Sequence, residues 1–253
     1  MTTNPRLIVE KRQSLLEVGV RLWQENCLAA LNSRGRFSVA LSGGTTPADF
    51  YELVAERLEA SLWEETHLFQ VDERQVPPAH SRRNWGMIRR ALVDRVGLAP
   101  GNLHPVPWNG SLVKAVREYE ESLRFFFNLA AGEMPRFDLV VLGLGVDGHT
   151  ASLFPGRPEL DLRDRAVAGV LLGEPLLDRI TLSLPVLNQA RRVVFLITGA
   201  GKAPAVEKFL GEKSRLIPGS LVDPVEGEVV CLLDPPAAGR FFAPGNKEKT
   251  ENS

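Results

Sequence analysis

Residues Phe137–Pro155 read Phe-Asp-Leu-Val-Val-Leu-Gly-Leu-Gly-Val-Asp-Gly-His-Thr-Ala-Ser-Leu-Phe-Pro, an apolar run that ends in a series of glycines. A short apolar run bounded by glycine is typical of a buried strand in a parallel sheet that helices cover on both faces. Glycine has no Cβ, so the backbone after the strand can turn sharply and approach a ligand. Because reactive side chains commonly lie at the carboxyl ends of such strands, the stretch predicts an α/β fold with Asp147 and His149 at a functional site.

His149 is the leading candidate for a catalytic base. Of the 4 histidines in the chain, it is the one beside a carboxylate and inside a glycine turn. An imidazole side chain exchanges protons near neutral pH, which suits it to proton transfer. The alternative is a structural role, in which His149 only satisfies hydrogen bonds in a buried turn.

The same stretch also fits a dinucleotide-binding fingerprint. Residues 143–148 match G-x-G-x-x-G after a predicted strand. That fingerprint needs a long helix directly after the third glycine, so that the helix N-terminus faces the pyrophosphate. Pro155 and Pro158 would cut such a helix short. Glu174, after an apolar run, could serve as the ribose-binding acid, so nicotinamide binding stays an alternative at this point.

Composition indicates an ordinary globular protein. The chain has 253 residues, 44% of them hydrophobic, and its 30 Lys+Arg against 31 Asp+Glu give a formal net charge of −1. This balance supplies no broad attraction to nucleic acid or to an anionic membrane, so a bound anion needs a few placed cations. Cys27 and Cys231 lack the spacing of a disulfide framework or a zinc site, which favours a reducing cytoplasm and no metal. No signal core and no run of ~18 apolar residues occurs, so neither secretion nor membrane insertion is expected.

Short β-rich runs alternate with longer helical patterns, which predicts a three-layer, Rossmann-like α/β fold with a mainly parallel sheet and helices on both faces. We expect a single domain over residues 1–240 and a polar, disordered tail over 241–253. The predicted strands are Phe37–Leu41, His67–Val71, Leu139–Leu142, Val193–Thr198 and Val229–Leu233, with weaker candidates at Ala166–Leu172 and Ile180–Leu184. The predicted helices span roughly 10–32, 47–60, 84–96, 112–131 and 202–210.

A second motif, residues 42–47, reads Ser-Gly-Gly-Thr-Thr-Pro between a predicted strand and a predicted helix. Gly43 and Gly44 expose backbone N–H groups, Ser42 and Thr45 add hydroxyl donors, and the helix N-terminus supplies partial positive charge. The alternative, a simple helix cap, does not explain two adjacent glycines with three hydroxyls. The motif lacks the G-K-[ST] ending of a nucleotide P-loop. It therefore predicts a site for the monophosphate of a small molecule.

Two cations are candidates to complete this phosphate site. Lys202 follows a strand and a glycine turn at a helix start, where an unpaired cation opposes the helix dipole unless an anion binds. Arg179 begins a short β-like run, and its fork-shaped guanidinium can hold phosphate through two hydrogen bonds. Taken alone, an arginine such as Arg179 is more often a surface salt-bridge partner, so its role in phosphate binding depends on the neighbouring motifs.

A third motif places Asp72, Glu73 and Arg74 directly after a predicted strand, with Asn84 close behind. Such a charged cluster faces either solvent or a ligand. Its position at the carboxyl end of a strand favours the ligand.

With these motifs in order, the chain resembles the 6-phosphogluconolactonases, within the wider family that includes glucosamine-6-phosphate deaminases. The resemblance covers nearly the whole chain and rests on S-G-G-T-T-P, V-D-E-R-Q-V-P with the following Asn84, L-G-L-G-V-D-G-H-T-A-S-L-F-P, D-R-I-T and T-G-A-G-K-A. It implies a fold similar to that of the deaminases and of ribose-5-phosphate isomerase. In the deaminases the corresponding segment is similar to D-G-H-I-G-F-N-E-P, and its glutamate acts in ring opening. This chain has Ser152, Leu153 and Phe154 where that acidic segment would stand.

The resemblance implies hydrolysis of 6-phospho-D-glucono-1,5-lactone in the oxidative pentose phosphate pathway, without metal or organic cofactor. It implies that His149 acts on the lactone carbonyl, and we add Asp147 and Arg74 as its catalytic partners. The implied substrate-binding residues are Ser42, Gly43, Gly44, Thr45, Asp72, Asn84, Arg179 and Lys202.

Three questions stay open from sequence. A deaminase-like enzyme and a non-catalytic sugar-phosphate sensor are the alternative functions. Arg82 and Arg83 stand where many relatives carry Asp and Ser, so their contact with substrate is undetermined. The oligomeric state, monomer or small homo-oligomer, is not encoded in any motif.

Overall fold

The computed structural model describes residues 5–239, and the predicted tail over 241–253 lies outside them. A seven-stranded sheet forms the centre, in the order β1-β10-β9-β6-β2-β3-β5. Every neighbouring pair in this sheet is parallel. Its strands are β1 (Arg6–Val9), β2 (Phe37–Leu41), β3 (Thr66–Gln70), β5 (Leu103–His104), β6 (Leu139–Leu142), β9 (Arg192–Ile197) and β10 (Glu228–Leu233).

A second sheet of three antiparallel strands lies in the order β4-β8-β7. Its strands are β4 (Asp72–Arg74), β7 (Val167–Val170) and β8 (Arg179–Leu182). In β4, Asp72 pairs with Thr181 and Arg74 with Arg179. Because only Val71 separates β3 from β4, this small sheet begins directly at the carboxyl end of the central one.

Helices cover the central sheet. The longer ones are α1 (Arg12–Arg34), α2 (Thr45–Arg57) and α5 (Leu112–Phe127). The helix α3 (Asn84–Ile88) continues through a π-helical turn, Arg89–Val93, into α4 (Asp94–Val96). The remaining α-helices in the described part of the chain are α6 (Leu184–Leu187), α7 (Ala203–Phe209) and α8 (Pro235–Ala238). None of the helices described is long and apolar enough to cross a membrane.

Two hydrophobic clusters lie on opposite faces of the central sheet, since successive strand residues point to opposite sides. On β2, Val39 and Leu41 pack into the cluster that includes Trp23 and Phe50 of the first two helices. Ala40, between them, packs into the other cluster. The sheet is therefore buried on both faces, which explains why its strands are almost continuously apolar.

The structure confirms the predicted fold class. All seven predicted strands and the five predicted helical regions occur, with ends shifted by a few residues and with the region 84–96 divided by the π-helical turn. Strands β1, β4 and β5 were not predicted. The charged residues Asp72–Arg74, expected to follow a strand, form a strand of their own in the second sheet.

Candidate active site

A cavity of about 260 Å³ opens at the carboxyl ends of β2, β6 and β9, beside β4 and β8. This is the edge where ligands bind in open parallel α/β sheets. Nearly all the predicted site residues line it, namely Ser42, Gly43, Gly44, Thr45, Asp72, Arg74, Asn84, His149, Arg179 and Lys202. Asp147 is not part of the lining but contacts His149.

The glycine loop after β2 packs closely against Asn84. A Cβ on Gly43 would lie 2.0 Å from Oδ1 of Asn84, so no larger residue fits without moving that side chain. Gly44 adopts φ 116° as the N-cap of α2, a conformation that L side chains rarely adopt. Oγ of Ser42 is buried without a hydrogen-bond partner. Because buried hydroxyls are normally hydrogen-bonded, this donor suits a ligand in the cavity.

The turn after β6 brings Asp147 onto His149. Nδ1 of His149 lies 2.5 Å from Oδ1 of Asp147, and the backbone N–H of His149 donates to the same oxygen at 3.1 Å. A Cβ on Gly145 would lie 2.1 Å from Nδ1 of His149, so glycine at this position makes room for the ring. Burial tends to raise the pKa of Asp147, but the hydrogen bonds and charge of His149 outweigh it and leave the pKa below its ordinary value.

Three cations line the cavity. Nη1 of Arg179 lies 3.9 Å from Oδ2 of Asp72, whereas Nη1 of Arg74 donates to the carbonyl of Arg82 and Nζ of Lys202 donates to the carbonyl of Leu144. Within residues 5–239, neither Arg74 nor Lys202 forms a salt bridge with a carboxylate. Burial lowers the pKa of Lys202. Burial also lowers the pKa of Arg179, and the positive charge of Arg74 lowers it further. The cavity therefore has an excess of positive charge suited to an anion.

Asp72 is fixed by its neighbours. Oγ of Ser152 donates to Oδ2 of Asp72 at 2.6 Å, and Nδ2 of Asn84 donates to the carbonyl of Asp72 at 3.0 Å. Ser152 is fully buried, at 0% exposure. Ser152 thus holds a carboxylate of the cavity in place.

The expectation that Glu73, with Asp72 and Arg74, faces solvent or a ligand is wrong for this residue. Its side chain is 0% exposed and accepts four hydrogen bonds, from Nε2 of Gln70 and from the backbone N–H groups of Arg74, Asn84 and Trp85. Burial raises its pKa, and the hydrogen bonds oppose that effect only in part. Glu73 joins β4 to the start of α3, so it sets where Arg74 and Asn84 lie. The burial of Glu73 could not be predicted from sequence, because charged residues flank it on both sides and charged residues are usually exposed.

Arg82 and Arg83 lie in the loops around the cavity. Arg83 is buried, lies 3.6 Å from Glu73, and donates to the carbonyls of Val76 and Val106. Arg82 donates to the carbonyl of Pro175. Neither residue lines the cavity, and both instead fix the loops around it. Among the described residues, no group of three or more His, Cys, Asp or Glu side chains is arranged to hold a metal ion.

Fold and cavity thus define an α/β protein with a cation-lined cavity at the carboxyl edge of a doubly covered parallel sheet. Residues 10–231 match the family model described as glucosamine-6-phosphate isomerases/6-phosphogluconolactonase. The chain belongs to this family. No helix begins directly after Gly148, as a dinucleotide fingerprint requires, and the next helical turn is the short 3-10 turn Pro158–Asp161.

Relatives in this family resemble the chain over most of its length. A 6-phosphogluconolactonase of Synechocystis sp. is 38% identical over 231 residues, which cover 90% of this chain and 94% of the relative. The human 6-phosphogluconolactonase is 36% identical over 230 residues, covering 88% and 87%. The structure of the Trypanosoma cruzi 6-phosphogluconolactonase superposes with a TM-score of 0.83 at 28% identity, covering 96% of this chain and 99% of that one. A monomeric glucosamine-6-phosphate deaminase shares the fold, with a TM-score of 0.76 at 19% identity.

Proposed function

We propose that this protein hydrolyses 6-phospho-D-glucono-1,5-lactone to 6-phosphogluconate, a step of the oxidative pentose phosphate pathway. One observation carries the proposal. A single cavity joins a glycine loop and three cations to a histidine that contacts an aspartate. The names of the relatives support the same reaction.

His149 is the general base of the proposed reaction. Its contact with Asp147 engages Nδ1, which favours the tautomer that carries the proton on Nδ1 and leaves Nε2 to accept one. Nε2 takes a proton from water as the water oxygen attacks the lactone carbonyl carbon. The tetrahedral intermediate then breaks its bond to the ring oxygen, which takes up the proton and becomes the free hydroxyl group. Asp147 orients the ring and stabilises its charged form.

The phosphate group of the substrate is held away from the reacting carbon. Ser42, Gly43, Gly44 and Thr45 supply N–H and hydroxyl donors, and Arg179 and Lys202 supply charge. Binding energy from this remote group fixes the sugar ring in a reactive position. Asp72 and Asn84 are placed to contact the sugar hydroxyls.

Arg74 is proposed to stabilise the oxyanion. Its guanidinium lines the cavity, its Nε is buried without a hydrogen-bond partner, and one Nη donates to a backbone carbonyl. A fixed cation of this kind stabilises the charge that develops on the carbonyl oxygen. A δ-lactone is an activated ester, so a positioned water, a base and this donor suffice without metal or organic cofactor.

Ser152 favours the lactonase over the deaminase. The deaminase branch uses an acid in the segment after D-G-H, and here Ser152 is buried there with its hydroxyl on Asp72. The proposed setting is the cytoplasm, with the protein as a monomer or a small homo-oligomer.

A coupled assay tests the proposal. The lactone is generated enzymatically, and 6-phosphogluconate formation is followed with spontaneous hydrolysis subtracted. Acceleration over that background is expected, together with no ammonia release from glucosamine 6-phosphate. Ammonia release would identify a deaminase, and saturable binding of 6-phosphogluconate without turnover would identify a sensor.

A further inference from the structure

A second charged cavity lies at the amino end of the central sheet. Its volume is about 190 Å³, and four arginines surround the single buried carboxylate of Asp138. We name it the arginine pocket, and its arginines are Arg34, Arg36, Arg136 and Arg191.

The arginine pocket is separate from the candidate active site. Three of its arginines lie just before three neighbouring strands of the sheet. Arg36 precedes β2, Arg136 precedes β6 and Arg191 precedes β9. The candidate active site opens at the carboxyl ends of the same three strands. Since these strands have 4 to 6 residues, and a strand rises about 3.3 Å per residue, the two cavities are roughly 13–20 Å apart.

Positive charge exceeds negative charge in the arginine pocket. Oδ1 of Asp138 accepts a hydrogen bond from Nε of Arg34 at 3.0 Å, and Oδ2 accepts two from the backbone and hydroxyl of Ser38. Arg136 pairs with Glu226 at the rim, at 3.0 Å. Arg36 has no carboxylate partner within residues 5–239 and lies 4.3 Å from the ring centre of Phe126. Four guanidinium groups therefore face two carboxylates, which leaves an excess charge that a dianion would neutralise.

Two guanidinium N–H groups in this cluster lack hydrogen-bond partners. Nε of Arg136 and Nε of Arg191 are buried without a hydrogen bond. Arg191 forms an ion pair with Asp138, with Nε 3.4 Å from Oδ1, but Asp138 is shared with Arg34. Burial lowers the pKa of Arg191, and the charges of Arg34 and Arg136 lower it further. Buried donors and like charges held this close are costly unless an anion joins them.

The size and lining of the arginine pocket restrict its ligand. Space of this size holds about six water molecules, at about 30 Å³ each, which suits a phosphoryl group with a short organic substituent and is too small for a nucleic-acid duplex. Phe127, Leu129 and Met134 form an apolar wall beside the arginines. Arginine forks match the geometry of phosphate oxygens. We propose that the arginine pocket binds a phosphoryl dianion, either free phosphate or the phosphate of a small metabolite.

Isothermal titration of the full chain tests the proposal with two probes, inorganic phosphate and glycerol 3-phosphate. We expect binding at the arginine pocket in addition to the candidate active site. Arg36→Gln should weaken the pocket site by at least about tenfold, since each charged hydrogen bond contributes that much or more. Arg36 holds no carboxylate in place, so this variant should keep its circular dichroism spectrum and its lactone turnover. Arg136→Gln is the second variant.

Lys202→Ala separates the two sites, because Lys202 lines only the candidate active site. Phosphate binding that persists in Lys202→Ala and is lost in Lys202→Ala/Arg36→Gln supports the arginine pocket. Arg192→Gln is the matched control, since Arg192 lies next to the pocket but pairs with Glu228 outside it. Tighter binding of glycerol 3-phosphate identifies a metabolite as the ligand, and tighter binding of inorganic phosphate identifies the free ion. Folded Arg36→Gln and Arg136→Gln variants that bind both probes as the wild type does would overturn the proposal.

Discussion

At the scale of single residues, the contact between Asp147 and His149 decides the proposed chemistry. His149→Ala should lower kcat by about 10²–10⁴-fold, the usual effect of losing a general base. Substrate affinity should change little, because the phosphate donors lie on other loops. Steady-state kinetics on the lactone, with spontaneous hydrolysis subtracted, measure both parameters. The control is His80→Gln, which replaces an exposed histidine and should keep the wild-type kcat. A His149→Ala enzyme with unchanged kcat would remove His149 from the base role.

Lys202 contributes at the same scale but to a different kinetic parameter. Its ammonium group donates to the carbonyl of Leu144 and has no carboxylate in a salt bridge within the described residues, so it is available to a phosphate. Lys202→Ala should raise KM by about tenfold or more and leave kcat nearly unchanged, since the phosphate does not react. Lys208→Ala, on the exposed part of α7, is the control. If Lys202→Ala changed kcat alone, Lys202 would belong to the chemistry and not to phosphate binding.

At the scale of structural elements, the loop between β2 and α2 is matched to the start of α3. In Gly43→Ala the new Cβ would lie 2.0 Å from Oδ1 and 2.3 Å from Cγ of Asn84, a buried side chain that Asp72 also holds. The two loops must then separate, and kcat/KM should fall by about 10–100-fold. Gly86→Ala in α3 is the matched control, because its Cβ meets only Arg90 at 3.5 Å. Equal losses in both variants would indicate a general effect of alanine and not a loop contact.

Most elements with an apolar pattern were predictable from sequence, although the apolar edge strand β1 was not predicted. The strand β4, which is held by polar contacts, was not predictable. The strand β6 is four buried apolar residues, and the sequence indicates it directly. The strand β4 is Asp-Glu-Arg, which carries no apolar pattern and exists because it pairs with β8. The site followed the same division. Glycine loops and the Asp147–His149 spacing were readable, whereas the buried position of Glu73 depends on backbone N–H groups from a segment about ten residues away.

At the scale of the whole molecule, the parallel sheet concentrates charge at its two ends and apolar groups between them. The carboxyl end carries the candidate active site, and the amino end carries the arginine pocket. The formal net charge of −1 does not reveal the excess of positive charge in either cavity, because acidic residues elsewhere in the chain offset it. Local charge, and not composition, therefore determines which anions this chain can bind.

The edge of the central sheet gives the folded molecule a defined acid sensitivity. Nδ1 of His67 lies 3.2 Å from Nε2 of His104, whose ring stacks on Phe69 at 4.1 Å. Burial, and then the charge of His67, lower the pKa of His104 to about 4. Because the ordinary value is near 6.5, the unfolded chain takes up a proton there first, and the free energy of unfolding falls as pH drops from about 6.5 to about 4.

His104→Phe keeps a stacked ring and removes this proton uptake. The decrease in the free energy of unfolding between pH 6.5 and pH 4 should become smaller by about 1–2 kcal/mol, after a discount for the partial exposure of the ring. Urea unfolding at a series of pH values measures the difference. His80→Gln, at an exposed position, is the control for the removal of one histidine. If the His104→Phe slope equals that of the wild type, the acid sensitivity arises elsewhere in the fold, because a phenylalanine at this position cannot bind a proton in either state.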